Sequence, residues 1–145
     1  MNIFIDTSAF LAVLNAKDGF HEQARRAWDE ILSSDTILFS SNYVLLETTA
    51  LLQHRFGIEA VRLFENDILP VIEIVWLDET VHKQGMSALL IANRRDLSLV
   101  DCTSFEIIRQ MGIDGAFTFD THFREQGFKV LPEEDPINRF SPLET

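Results

Sequence analysis

The chain has 145 residues, with 12 Lys or Arg against 23 Asp or Glu and a net charge of −11. That length suits one domain, and 46% hydrophobic residues supply a core, so neither a two-domain plan nor a disordered chain is expected. The acidity argues against a broad basic footprint for nucleic acid, and the single cysteine, Cys102, rules out an intramolecular disulfide or a thiolate metal cluster within one chain.

An apolar strand is predicted over residues 2–5, ending at Asp6, followed by a helix over 7–16. Residues 20–33 carry Ala24, Ala27, Trp28, Ile31 and Leu32 at helical spacing, with Arg25, Arg26, Asp29 and Glu30 on the other side. A strand at 36–39 leads through Ser40-Ser41-Asn42, an N-cap signal, into a helix over 43–56 stopped by Gly57. Another helix is predicted over 58–67; Pro70 then breaks the chain, and a β-branched strand covers 71–76. Residues 79–93 read as a helix. Residues 97–100 lead into a helix over 101–111, stopped by Gly112. A strand over 116–119 ends at Asp120, a helical turn covers 121–126, and a last strand covers 128–131.

Short, uniformly apolar strands alternating with helices predict an α/β fold: a three-layer α/β/α sandwich with a short, mainly parallel central sheet. Residues 1–131 are expected to form the single domain. Residues 132–145, with three of the four prolines and the Glu133-Glu134-Asp135 cluster, read as an acidic tail that is draped or frayed. No apolar run approaches the roughly 20 residues of a membrane span, and the first residues lack a basic leader, so a soluble cytoplasmic protein is expected.

Three aspartates, Asp6, Asp101 and Asp120, stand just past an apolar stretch and just ahead of a predicted helix. A helix cap explains each one alone, and Ser98 with Asp101 fits the Ser-x-x-acid capping pattern. As a set they say more, because the carboxyl ends of strands in an open parallel sheet face one crevice where ligands bind. Glu47 has Tyr43, Val44, Ala50 and Leu51 as its helical neighbours. A carboxylate in such company either reaches a surface edge or aims into that crevice. Packed carboxylates repel unless one is protonated or a cation holds them, and an all-oxygen set favours Mg²⁺ or Mn²⁺ over zinc.

These acids lie in four segments: Ile5-Asp6-Thr7-Ser8, Asn42-Tyr43-Val44-Leu45-Leu46-Glu47-Thr48, Leu97-Ser98-Leu99-Val100-Asp101-Cys102-Thr103-Ser104-Phe105 and Ala116-Phe117-Thr118-Phe119-Asp120-Thr121-His122-Phe123. In order and spacing they resemble the PIN-domain ribonucleases, and the single-domain size resembles the VapC-type toxins. The resemblance runs over residues 1–131. It implies a parallel sheet flanked by helices and Mg²⁺- or Mn²⁺-dependent cleavage of single-stranded RNA. It also implies that Asp6, Glu47, Asp101 and Asp120 form the catalytic, metal-holding quartet, and that Ser8 is the small polar residue beside the first aspartate. Some members carry a further acid shortly after the fourth aspartate; here Thr121 and His122 stand there. The resemblance implies a homodimer blocked by a cognate antitoxin. Apolar residues around Trp28, itself read as core or interface, and over 43–52 are candidates for such contacts, and sequence alone does not show which face is free.

Arg94 and Arg95, just upstream of Asp101, read either as contacts for substrate phosphates or as a basic helix end matched to the dipole. His122 and His54 are expected to pack or hydrogen-bond rather than ligate. The alternative function is a PIN-domain binding or assembly module in RNA processing with little nuclease activity, and the intact quartet argues against it. A dehalogenase-type phosphatase would want an acid where Ser8 stands. A response-regulator receiver would want paired acids early in the chain, where Asp6 stands alone.

Overall fold

Ile3, Phe4 and Ile5 are all fully buried, so the strand they form must be covered on both faces. In the computed structural model, which describes residues 1–133, this strand is the centre of a five-stranded sheet. Its strands are β1 (Asn2–Ile5), β2 (Ile37–Ser41), β3 (Ile72–Val75), β4 (Gly115–Phe117) and β5 (Lys129–Leu131). Their order is β3-β2-β1-β4-β5, and every neighbouring pair is parallel. Parallel pairing requires crossovers, which are supplied by α1 (Thr7–Leu14), α2 (His21–Leu32), α3 (Asn42–Phe56), α4 (Ile58–Leu63), α5 (Glu79–Ala92), α6 (Leu99–Met111) and α7 (Thr121–Glu125). Right-handed crossovers put α1 to α4 on one face and α5 to α7 on the other. The packing of α1 on α2 and α3, of α3 on α4, and of α5 on α6 agrees with that. Of the acidic tail predicted over 132–145, residues 134–145 lie outside the described residues.

Local chemistry sets the helix ends. Asp6, Ser41, Ser98 and Asp120 are the N-caps of α1, α3, α6 and α7, each side chain accepting from a backbone N–H of the first turn. Gly57 and Gly112 take positive φ, 90° and 62°, where α3 and α6 stop.

Beyond shifts of one or two residues at other element ends, the structure departs from the sequence reading in four places. The helix predicted from Asp101 begins at Leu99, because Ser98 and Asp101 close a full capping box and draw the two apolar residues into the first turn. The helix predicted over 58–67 is α-helical only to Leu63. It widens into a π turn over Phe64–Ile68 and then tightens into a 3-10 turn over Leu69–Val71, which takes Pro70 near its start. The strand predicted over 116–119 stops at Phe117, and Thr118 turns into the crevice described below. Trp28, offered above as a partner face, is only 4% exposed and packs in the core beside Ala24 and Ile31. On α3, by contrast, Leu46 stands 72% exposed while Val44, Thr48 and Leu52 face inward.

Helices α5 and α6 pack closely where Gly85 meets Thr103. A Cβ on Gly85 would come within 2.4 Å of the Thr103 Cγ2. The Thr103 hydroxyl lies 2.9 Å from the Leu99 carbonyl and 3.0 Å from that of Val100, so it braces the first turn of α6. Among the described residues, no helix is long and apolar enough to cross a membrane.

Candidate active site

From β1 the chain crosses towards β2, and from β4 it crosses towards β5. The crevice between the carboxyl ends of β1 and β4 is therefore the switch point of the sheet, where open α/β folds bind ligands. Asp6 leaves β1 at that point, and Thr118 and Asp120 leave β4 there. Asp6 Oδ1 accepts from the Ser8 hydroxyl at 2.7 Å and from the Ala9 N–H at 3.3 Å, while Oδ2 accepts from the Thr118 hydroxyl at 2.9 Å. Ser8 Oγ in turn accepts from the Phe119 N–H at 2.9 Å, and Thr118 Oγ1 from the Asp120 N–H at 3.0 Å. Two hydroxyls thus bind the β1–α1 turn to the β4–α7 turn across more than a hundred residues of sequence.

Burial dominates the electrostatics of Asp6. It pushes the carboxyl up to about 7, against the pull of its bonds to Ser8, Thr118 and Ala9, and nearby Asp120 adds to the rise. Asp101 stands in the first turn of α6, where its Oδ2 accepts from the Ser98 N–H at 3.1 Å. Burial raises its pKa and Asp120 adds to that, while Ser98 and His122 oppose it. Glu47 reaches in, half-buried, from α3, which touches α6. A cavity of about 180 Å³ opens among Asp6, Glu47, Asp101 and Asp120, with Thr7, Ser8 and Ser104 on its wall. The structure therefore brings together all four acids picked from the sequence, with Ser8 beside the first.

Residues 3–129 match the family model of the PIN domain. The chain belongs to the PIN domain family. The 23S rRNA-specific endonuclease VapC20 of Mycobacterium tuberculosis, from strains CDC 1551 and H37Rv, is 36% identical over 133 residues, which is 90% of this chain and 99% of the relative. A crystal structure of that species' VapC20, described as a sarcin–ricin loop cleaving toxin, matches with a TM-score of 0.77 at 34% identity. The match covers 88% of this chain and 96% of that one. The fold is also shared with FitAcB from Neisseria gonorrhoeae, at a TM-score of 0.65 and 18% identity, covering 90% and 96% of the two chains. The resemblance to PIN-domain ribonucleases of the VapC-like branch, and the α/β/α fold it implied, hold.

This PIN domain carries a second layer in which the sequence reading had named Arg94 and His122 but not their pairing with Asp96. His122 Nε2 lies 3.1 Å from Asp96 Oδ2. Arg94 grips both oxygens of Asp96, with Nε 3.1 Å from Oδ1 and Nη2 2.7 Å from Oδ2, and its Nη1 lies 3.0 Å from Glu125. That guanidinium holds the Asp96 carboxyl well below the usual carboxylate range. Asp96 first, then Asp120 and Asp101, push the His122 imidazole up. Arg94 and Arg95 are exposed and lie outside the wall of the four-acid cavity; Arg94 connects to it only through Asp96 and His122. His54 is exposed near the end of α3. Thr118 was signalled only by its place two residues before Asp120, and His122 by its place where some relatives carry a further acid.

A divalent cation fits these residues. The wall offers carboxylate oxygens from four elements, and single ligand atoms of Asp101, Asp120 and His122 all lie within 4.8 Å of one another. Hard oxygen donors in that number suit Mg²⁺ or Mn²⁺.

Proposed function

We propose that this PIN domain is a Mg²⁺- or Mn²⁺-dependent endoribonuclease that hydrolyses phosphodiester bonds in single-stranded or loop RNA, and that it is the toxin of a toxin–antitoxin pair. The observation that carries this reading is the meeting of Asp6, Glu47, Asp101 and Asp120 around one cavity at the switch point. A relative named as a 23S rRNA-specific endonuclease, matched over 99% of its length, makes the sarcin–ricin loop of 23S rRNA the first substrate to test.

Asp6, Asp101 and Asp120 would hold the ion, with Glu47 completing the set. When bound, a divalent ion supplies charge neutralisation at the phosphate and a lowered pKa for the attacking water. The chain's own residues do the positioning. Ser8 and Thr118 fix both Asp6 oxygens, the Ser98 cap fixes Asp101, and Glu47 orients the attacking water. Exposed Arg94 and Arg95 meet flanking phosphates. Attack by water does not require the ribose 2′-OH, so preference for RNA rests on substrate shape. The nuclease unit spans residues 1–131 and works in the cytoplasm as a homodimer under control of a cognate antitoxin.

The test is incubation of a sarcin–ricin loop oligoribonucleotide with the protein in Mn²⁺ and in EDTA. Cleavage at a defined position in Mn²⁺, absent in EDTA and absent with Asp120→Asn, is expected. Equal cleavage in EDTA would sink the metal-dependent reading. No cleavage of any RNA with the ion bound would favour the assembly-module alternative.

A further inference from the structure

Among the described residues, His122 Nδ1 is the single buried side-chain nitrogen or oxygen that makes no hydrogen bond. It lies 2.8 Å from Asp120 Oδ1 and 3.9 Å from Asp101 Oδ2. Asp120 Oδ1 already accepts the His122 backbone N–H at 3.0 Å, and the ring nitrogen is not aligned to share it. The other ring nitrogen, Nε2, faces Asp96 Oδ2 at 3.1 Å. An ionised carboxylate only accepts, so Nε2 carries the hydrogen, and once the ring is neutral, as a bound cation would make it, the lone pair of Nδ1 points towards Asp101 and Asp120. Asp96 is held in place, since Arg94 grips both of its oxygens and Glu125 holds Arg94. Metal-binding imidazoles are built in this way, with the far N–H on a carboxylate and the near nitrogen aimed at the ion.

We infer that His122 is a nitrogen ligand of the divalent ion through Nδ1, with Asp96 and Arg94 as positioning residues that fix its ring and tautomer. The inference rests on the metal-dependent reading above and gives that site a mixed oxygen and nitrogen donor set. It also explains what a histidine does at a place where some relatives carry another acid. A neutral imidazole adds a donor without adding a further negative charge to a wall that already holds four carboxylates. A nitrogen donor tilts the site towards Mn²⁺ over Mg²⁺, because Mg²⁺ prefers oxygen ligands and imidazole suits transition ions.

Pulsed electron paramagnetic resonance of Mn²⁺ bound to the full chain tests this directly. Nitrogen modulation is expected from the wild-type protein, changing from ¹⁴N to ¹⁵N frequencies when only histidine is ¹⁵N-labelled. His122→Gln should abolish that modulation and weaken Mn²⁺ binding by at least about tenfold in calorimetry, while weakening Mg²⁺ binding less. Asp96→Asn should keep the modulation and weaken Mn²⁺ by a smaller factor. Mn²⁺ that binds with dependence on Asp120 but without nitrogen modulation overturns the inference and leaves the metal-dependent reading intact. Modulation that persists in His122→Gln assigns the nitrogen elsewhere and also overturns it. Absence of any Mn²⁺ binding removes both. If the His122 variant fails to fold, the labelled wild-type chain still shows whether an imidazole binds the ion, and among the described residues His122 is the histidine that lies against Asp101 and Asp120.

Discussion

Asp6 lies buried between two hydroxyls and a backbone amide, whereas Asp101, Asp120 and the Nδ1 of His122 lie close together across the same crevice. On the Asp6 side the hydrogen bonding is complete before any ion arrives. On the other side the two carboxylates are half-buried, and their mutual repulsion is relieved by a proton, by water or by a cation. The contrast separates two jobs that a four-carboxylate site must combine. One carboxylate is held rigidly where water is excluded and charge is costly. The rest stay near solvent, where an ion can enter.

The largest expected effect comes from neutralising the buried side. Asp6→Asn should lower RNA cleavage by about a thousandfold, equivalent to the several kcal/mol that metal-assisted hydrolysis supplies, with an unchanged circular dichroism spectrum. Near-wild-type turnover would show that Asp6 serves the fold alone.

The same variant should gain stability without metal. Folded Asp6 titrates at about 7 against an ordinary value of 3.8, so between those pH values the folded state holds a proton that the unfolded state has released. Stability of the metal-free protein therefore falls as pH rises from 4 to 7 and levels off above. The penalty approaches about 4 kcal/mol. Urea unfolding in EDTA should find Asp6→Asn more stable than wild type at pH 8 and not at pH 4. Parallel pH profiles would contradict the buried charge.

Ser8→Ala is expected to have a smaller effect, because it removes one donor from Asp6 and leaves the Phe119 N–H without its acceptor. A loss of about 1–3 kcal/mol in denaturant unfolding is expected, with reduced but measurable cleavage. Unchanged stability would mean that the two turns are held together by packing instead.

The smallest difference lies on the open side, between Asp101→Asn and Asp101→Ala. Both should lose cleavage. Only alanine should lose the capping box, worth about 1 kcal/mol, and thermal melts of the two variants would separate the cap from the ligand.

Much of the molecule was legible in sequence because its signals are local. Gly57 and Gly112 mark helix ends, Ser41 marks a helix start, and apolar runs of three or four residues mark strands buried on both faces. Asp6 and Asp120 could be placed because each follows a strand in a parallel sheet, and Glu47 because its helical neighbours are apolar. The role of Thr118 and the pairing of Asp96 with His122 depend on which strand lies beside which. No run of residues records that β4 pairs with β1. Trp28 was legible as core from its helical periodicity, which puts it on the inward stripe with Ala24 and Ile31; its use as a partner face is excluded by that burial.

The contact of Gly85 with Thr103 has a practical consequence. A methyl group on α5 would have to displace the threonine that braces the turn carrying Asp101, and it would do so without changing any residue on the wall of the cavity. Gly85→Ala is thus expected to lower cleavage without abolishing it, which a cleavage assay beside Asp101→Asn would show. The substitution leaves every side chain of the cavity wall in place for study.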